Sequence, residues 1–114
     1  MAEIHPGVLA MITDVEPEYE DQFNRWLSEE VLPQRMTIDG VLGARRWVRQ
    51  EIGQPLSIPM NPLPRYLLMY DLADVTIPSQ EAWQAIAGTS EWGKQITPHM
   101  HNTIHGNYRE IIRF

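Results

Sequence analysis

Glu30 is the residue whose setting points most directly to chemistry. It follows Phe23 by seven residues, Trp26 by four and Leu27 by three. On a helix it therefore lies near the middle of an apolar stripe rather than on the solvated side. A carboxyl group in such a setting is a candidate general acid or base, because burial disfavours its charged form. The structural alternative is an ion pair with one of three arginines: Arg35, Arg45 or Arg46.

Three histidines near the C-terminus, His99, His101 and His105, occupy odd-numbered positions. In an extended segment they project to one side, and one of them could shuttle a proton because imidazole titrates near neutrality. We take His99 and His101, with Glu30, as the catalytic candidates. Three imidazoles could also hold a metal ion, but no carboxylate follows until Glu110, so we expect no metal.

Adjacent arginines stand in a segment otherwise made of Val, Leu, Ala and Trp. In a strand, Arg45 and Arg46 face opposite sides of the sheet, so one points to the helices. An interior Arg could bind a substrate carboxylate or stabilise an enolate; the alternative is a salt bridge at a dimer interface. Aromatic side chains can form the apolar walls of a pocket, and tyrosine hydroxyls can orient a ligand within it. The candidate substrate-binding residues are therefore Trp26, Arg45, Arg46, Trp47, Tyr66, Tyr70, Trp92 and Tyr108.

Composition excludes several classes of function. With 15 acidic against nine basic side chains and a net charge of −6, nucleic acid is not an expected partner. Cysteine is absent, which excludes thiolate chemistry and fits a reducing cytoplasm. No apolar run reaches the roughly 18–20 residues of a membrane span, and the N-terminus lacks a signal-peptide pattern. Without a phosphate loop or dinucleotide fingerprint we expect no cofactor.

The elements that must position these residues follow the order strand, helix, strand, strand, helix, strand. The predicted strands are 7–14, 41–50, 66–72 and 107–114. The first helix begins at Glu16-Pro17 and ends or kinks at Leu32, ahead of Pro33. Ser79 is expected to cap the second helix, Gly88 to end it, and Thr89 or Ser90 to cap a short third one. The proline-rich loop 51–64 is long enough to form a lid or a dimer arm.

This order predicts one α+β domain over residues 1–114, with the ferredoxin-like βαββαβ plan. Its four-stranded antiparallel sheet carries both helices on one face. The other face would be bare and apolar, and such a surface is not stable in water. We therefore expect a homodimer in which two sheets close into an α+β barrel.

Several segments along the chain form a recognisable set. They are the Phe23-Asn24-Arg25-Trp26 run, Glu30, Leu32-Pro33-x-Arg35, residues 40–47, residues 64–72, Trp92 and residues 107–111. Together these segments resemble the EthD-like branch of the dimeric α+β barrel proteins. In that branch many members carry a His directly after the helix-one Glu, whereas this chain has Val31. Glu30 or another His must therefore carry any acid–base step, and the departure favours a binding role.

The resemblance implies an enzyme rather than a particular substrate. We expect a cofactor-independent lyase or isomerase acting on a small hydrophobic substrate that is aromatic or a ring-fission product. Glu30 or a C-terminal His would move the proton, and Arg45 or Arg46 with Tyr70 would hold the oxyanion. The alternatives are a cofactor-free monooxygenase of a phenolic substrate and a non-catalytic small-molecule binding or accessory protein.

Overall fold

A four-stranded antiparallel sheet forms the centre of the protein. The computed structural model describes residues 3–51, 53, 63–86 and 90–114. The strands lie in the order β2-β3-β1-β4 and every pairing is antiparallel. An antiparallel sheet with helices is compatible with the ferredoxin-like plan. The strands are β1 (Gly7–Val15), β2 (Val41–Val48), β3 (Tyr66–Leu72) and β4 (Met100–Arg109).

Short helical segments connect the strands. The first connection is one continuous helical body that widens into a π-helical turn at Leu27–Val31. Its α-helical parts are α1 (Glu20–Trp26) and α2 (Leu32–Arg35). The connection between β3 and β4 contains α3 (Glu81–Gln84) and α4 (Glu91–Ile96). Single 3₁₀ turns cover Pro17–Tyr19, Ile77–Ser79 and Thr97–His99. No helix in the described ranges has the length and apolarity needed to cross a bilayer.

The core lies between the helices and one face of the sheet. Along β3 the buried positions alternate strictly, so one face of the strand is covered. The covered residues pack with Phe23, Trp26 and Leu27 of the first helical body. The alternate positions of β3 are half-buried in the single chain. The covered residues of β3 are Tyr66, Leu68, Tyr70 and Leu72.

The opposite face of the sheet is not covered by any described element of the chain. On this face, β2 and β4 carry large apolar side chains that are exposed. These residues pair with the residues of β3 and β1 whose side chains point away from the helices. Trp47 pairs with Leu67 of β3, and Ile104 and Tyr108 pair with β1. The exposed side chains of this open face include Leu42, Trp47, Ile104 and Tyr108.

The sequence predicts that the first helix ends or kinks ahead of Pro33, and the structure shows that it does not end there. Proline has no N–H to donate, and the helix widens immediately before it. The Leu32 N–H reaches back five residues to the Leu27 carbonyl, and the Met36 N–H bonds the Leu32 carbonyl at 3.0 Å. The π turn therefore accommodates the missing N–H of Pro33, and the helix continues to Arg35.

Two boundaries in the second half also differ from the prediction. The cap of α3 is Gln80 rather than Ser79, because the Ser79 hydroxyl donates to the Thr76 carbonyl within a 3₁₀ turn. Ser90 does cap α4, accepting the Gly93 N–H at 3.0 Å. The expected roles of Gly88 and Thr89, and most of the predicted lid or arm at 51–64, lie outside the described residues.

β4 begins seven residues earlier than predicted, and residues 110–114 lie outside it. The strand pairs with the whole length of β1 and contains a bulge where the register shifts between Ile12 and Asp14. Asn102 lies in this bulge with a φ of 56°, a left-handed conformation that Asn tolerates better than most residues. Thr13 anchors the bulge, since its hydroxyl lies 2.7 Å from the Thr103 hydroxyl.

Candidate functional site

A cavity of about 570 Å³ lies between the helices and the covered face of the sheet. This volume falls within the usual range for small-molecule sites. Its apolar wall includes Leu9, Met11, Val31, Leu68, Ile86 and Met100. Its polar groups include Glu30, Arg35, Tyr70, Ser90, Thr103 and His105. A mostly apolar hollow with a few converging polar groups is typical of a ligand site.

Glu30 reaches the cavity from the π-helical turn and is half-buried. One oxygen, Oε2, accepts hydrogen bonds from Trp26 Nε1 at 2.7 Å and from Ser90 Oγ at 2.6 Å. Both donors are neutral, and among the described residues Glu30 forms no ion pair. The expected structural pairing with an arginine is therefore absent from this part of the chain, and the carboxylate keeps a second oxygen for other partners.

Arg35 is a buried cation in the wall of the same cavity. It is 9% exposed, and its Nη1 donates to the Trp83 carbonyl at 3.0 Å. Its guanidinium carbon lies 3.9 Å from the centre of the Trp83 ring. Burial lowers the pKa of Arg35, since removal from water disfavours the charged form. No carboxylate in the described ranges forms a salt bridge with it.

Tyr70 supplies a hydroxyl near this arginine. Its ring is buried and meets the Trp83 ring edge to face, with 5.0 Å between centroids. Burial raises the pKa of Tyr70 to about 12, although the charge of Arg35 acts in the opposite direction. Tyr70 is therefore protonated at neutral pH and can donate a hydrogen bond to an anion.

Of the predicted histidines, His105 reaches the cavity and the other two do not. His99 and His101 instead share Glu16: His99 Nδ1 bonds one carboxylate oxygen, and His101 Nε2 lies 3.2 Å from the other. His99 also stacks on Tyr19 with 3.6 Å between centroids. These hydrogen bonds lower the pKa of Glu16.

The three histidines do not share one face, which corrects the sequence expectation. His101 pairs with Asp14 and His105 pairs with Met11, three residues apart on β1 and therefore on opposite sides of the sheet. The bulge at Asn102 is the cause, because one extra residue inverts the alternation beyond it. Within the described ranges, no group of three or more potential ligands could hold a metal ion.

The two adjacent arginines do point to opposite sides, but neither lines the cavity. Arg46 turns toward the helices and donates to Asn24 and Ser28 rather than to Glu30. Arg45 lies on the open face, 3.8 Å from an Asp71 oxygen and 4.8 Å from the Trp47 ring centre. The arginine of the cavity is Arg35.

The predicted aromatic residues divide among three locations. Trp26 and Tyr70 line the cavity. Tyr66 faces the helices rather than a barrel interior, and its hydroxyl donates to Glu20 at 3.1 Å. Trp92 is half-buried with Arg25 5.9 Å from its ring centre. The remaining two, Trp47 and Tyr108, lie on the open face.

Sequence reasoning did not assign Arg35 or Ser90 to a site, and it considered His105 as a proton shuttle without retaining it among the catalytic candidates. The first helical body lines the cavity with Trp26, Leu27, Glu30, Val31, Gln34 and Arg35. Their spacing is that of one stripe along a helix, so Glu30 and Arg35 reach the same cavity. The available signal was this spacing, which continues past Pro33 to Arg35.

Comparisons with models of known protein families, with curated proteins and with solved structures give no match for this chain. The chemistry open to the chain therefore rests on the cavity and its side chains.

Proposed function

We propose that the chain is a cofactor-independent enzyme of the lyase or isomerase type that acts on a small hydrophobic substrate, aromatic or derived from ring fission. The observation that carries the proposal is Glu30, a carboxylate at the wall of a largely apolar cavity whose hydrogen-bond donors, Trp26 and Ser90, are both neutral. An ion pair would occupy such a carboxylate, whereas neutral donors orient it and leave it able to take a proton.

The proposed chemistry begins with a proton on a carbon next to a carbonyl group. Glu30 removes that proton, and the electron pair moves into the carbonyl to form an enolate. The Tyr70 hydroxyl and the Arg35 guanidinium stabilise the oxyanion, replacing Arg45 or Arg46 in the role expected from the sequence. Protonated Glu30 then returns the proton to another carbon, which isomerises the substrate, or to a departing group, which completes an elimination.

The same proposal includes the quaternary structure. We place the chain with the EthD-like branch of the ferredoxin-like α+β barrel proteins and propose a homodimer closed through the open face. The exposed side chains of Leu42, Trp47, Ile104 and Tyr108 support this assignment, since a contiguous apolar surface on a small domain commonly marks an interface. A folded monomer at micromolar concentration in analytical ultracentrifugation would refute the dimer.

Hydrogen–deuterium exchange at carbon tests the acid–base step directly. The protein is incubated in D₂O with a panel of cyclic enones, unsaturated lactones and hydroxylated aromatic ketones, and NMR follows the loss of C–H signals. The wild type should accelerate exchange of at least one member. Glu30→Gln should reduce that rate by about a hundredfold or more, whereas Glu29→Gln should not, because Glu29 is exposed and pairs with Arg25. Exchange that survives in Glu30→Gln would contradict the proposal.

A non-catalytic binding protein is the second candidate. Val31 stands where the resembled family commonly has a His, and it lines the cavity without a titratable group. Native mass spectrometry of protein taken from its source distinguishes the two candidates. A retained, chemically unchanged ligand together with no carbon exchange across the panel would select the binding role.

A further inference from the structure

Arg35 has a charge that its own surroundings do not balance. Its side chain is more than nine-tenths buried, and the described part of the chain offers it no carboxylate in salt-bridge contact. A buried charge without a counterion is strongly unfavourable. We therefore expect the Arg35 guanidinium to have an anionic partner when the protein is functioning.

The hydrogen bonds of Arg35 are also incomplete. Nη1 donates to the Trp83 carbonyl and the ring of Trp83 covers one side of the guanidinium. Among the residues that the structure describes, none forms a hydrogen bond with the buried Nε. An arginine has five N–H donors in a planar fork that matches a carboxylate, and this one lies in a cavity wall.

We infer that the cavity binds an organic carboxylate, with its anionic end on Arg35 and its apolar body against residues such as Leu9, Met11 and Ile86. This inference names the substrate class for the proposed function and rests on it. Tyr70, near the same guanidinium, donates to the enolate oxygen of the proposed reaction, so the N–H groups of Arg35 hold the carboxylate while its charge also stabilises the enolate. Because Glu30 repels an anion, the carboxylate end lies toward Arg35 and the reacting carbon toward Glu30.

The charge balance favours a monoanion over a phosphate. Among the described residues that line the cavity, Arg35 is the only Lys or Arg. A phosphate dianion is usually held by several cationic or backbone N–H donors, whereas one guanidinium matches one carboxylate in charge and geometry. Most of the remaining wall is apolar, which suits a ring system.

The test compares two probes of nearly the same shape on the unaltered protein. Fluorescence titration measures the dissociation constants of 1-naphthoate and of 1-naphthamide. We expect the acid to bind at least about tenfold more tightly, since a charge-assisted hydrogen bond contributes about that much or more. Equal affinity for the two probes, or no detectable binding of naphthoate, would overturn the inference without any need for a variant to fold.

Variants then assign the effect to one residue. Arg35→Met should remove the preference for the acid while leaving the affinity for the amide similar. Arg25→Met, which removes an exposed arginine of α1, should keep the preference. If Arg25→Met alone removed it, or if Arg35→Met folded by circular dichroism and kept it, the assignment to Arg35 would be wrong.

The inference and the proposed function can fail separately. Glu30→Gln should still prefer naphthoate although carbon exchange is lost. A preference for the acid in a protein that exchanges no carbon proton would retain the carboxylate site and reject the enzyme. Exchange that depends on Glu30, without any preference for the acid, would retain the enzyme and reject the carboxylate site.

Discussion

Arg35 and Trp83 are joined twice, through a hydrogen bond from Nη1 to the Trp83 carbonyl at 3.0 Å and through a guanidinium carbon 3.9 Å from the indole ring centre. The two residues lie 48 positions apart in the chain. The contact therefore joins α2, between β1 and β2, to α3, between β3 and β4. It fixes the position of the Arg35 charge in the cavity wall.

Tyr70 should ionise far above the usual range of tyrosine. Burial raises its pKa from the ordinary 10.0 to about 12. Because the folded-state pKa is the higher one, protonated Tyr70 stabilises the fold fully below pH 10, and this contribution is lost as the pH rises through 12. Absorbance at 295 nm during an alkaline titration should show a late phase that Tyr70→Phe removes. A late phase that persists in Tyr70→Phe would contradict the assignment.

Glu16 should make stability depend on acid pH. Hydrogen bonds from His101 and His99 lower its pKa from the ordinary 4.5. The depressed folded-state pKa means that ionised Glu16 stabilises the fold above pH 4.5 and that this stabilisation is lost as the pH falls through the folded-state value. In urea unfolding, Glu16→Gln should be less stable than the wild type at pH 6, and the difference should shrink below pH 4.5. Glu18→Gln is the exposed control, and a difference that did not change with pH would contradict the prediction.

Gly40 should not tolerate a side chain. Its φ is +88°, and a Cβ would lie 2.5 Å from Ile77 Cδ1. Gly40→Ala should therefore destabilise the protein by about 1–3 kcal/mol. At Gly43 the nearest atom to an added Cβ is 3.5 Å away, so Gly43→Ala should change the free energy of unfolding much less. Equal effects of the two substitutions in urea unfolding would refute the prediction.

Ile104 should contribute to the proposed dimer. It is 57% exposed in the single chain, in the middle of β4 on the open face. A charge placed there is buried without a partner if two such faces meet. Ile104→Lys should therefore sediment as a folded monomer under conditions in which the wild type is a dimer. Met36→Lys, at an exposed apolar position beyond α2, should remain dimeric; a dimeric Ile104→Lys would exclude this face.

The sequence correctly predicts the elements in which apolar residues recur at a regular spacing. The apolar run of β3 has the predicted bounds of 66–72, and the stripe of Phe23, Trp26 and Leu27 is buried as expected. β4 was misplaced because its first half, residues 100–104, contains His, Asn and Thr instead of an unbroken apolar run. Its strand conformation comes from pairing with β1, and a tertiary pairing is not encoded in the period of one segment.

The site was predictable only in part for a related reason. The position of Glu30 in the apolar stripe did indicate a role beside the core, and Trp26, four residues earlier, is its hydrogen-bond donor. Arg35 follows Pro33, where the helix was expected to end or kink, so its place in the cavity wall was not assigned. The place of His105 depends on a bulge that shifts the direction of the later side chains of β4, so ideal strand spacing assigns His101 and His105 to the same side.

The bulge at Asn102 reverses which side of the sheet the later residues of β4 face. The positions of His101 and His105 both depend on it. Before the bulge, His101 points away from the cavity and joins Glu16; beyond it, His105 points into the cavity. In an unbroken strand the two imidazoles would compete for one side of the sheet. One inserted residue thus lets a single strand place one histidine beside Glu16 at one end of β1 and another in the ligand cavity further along.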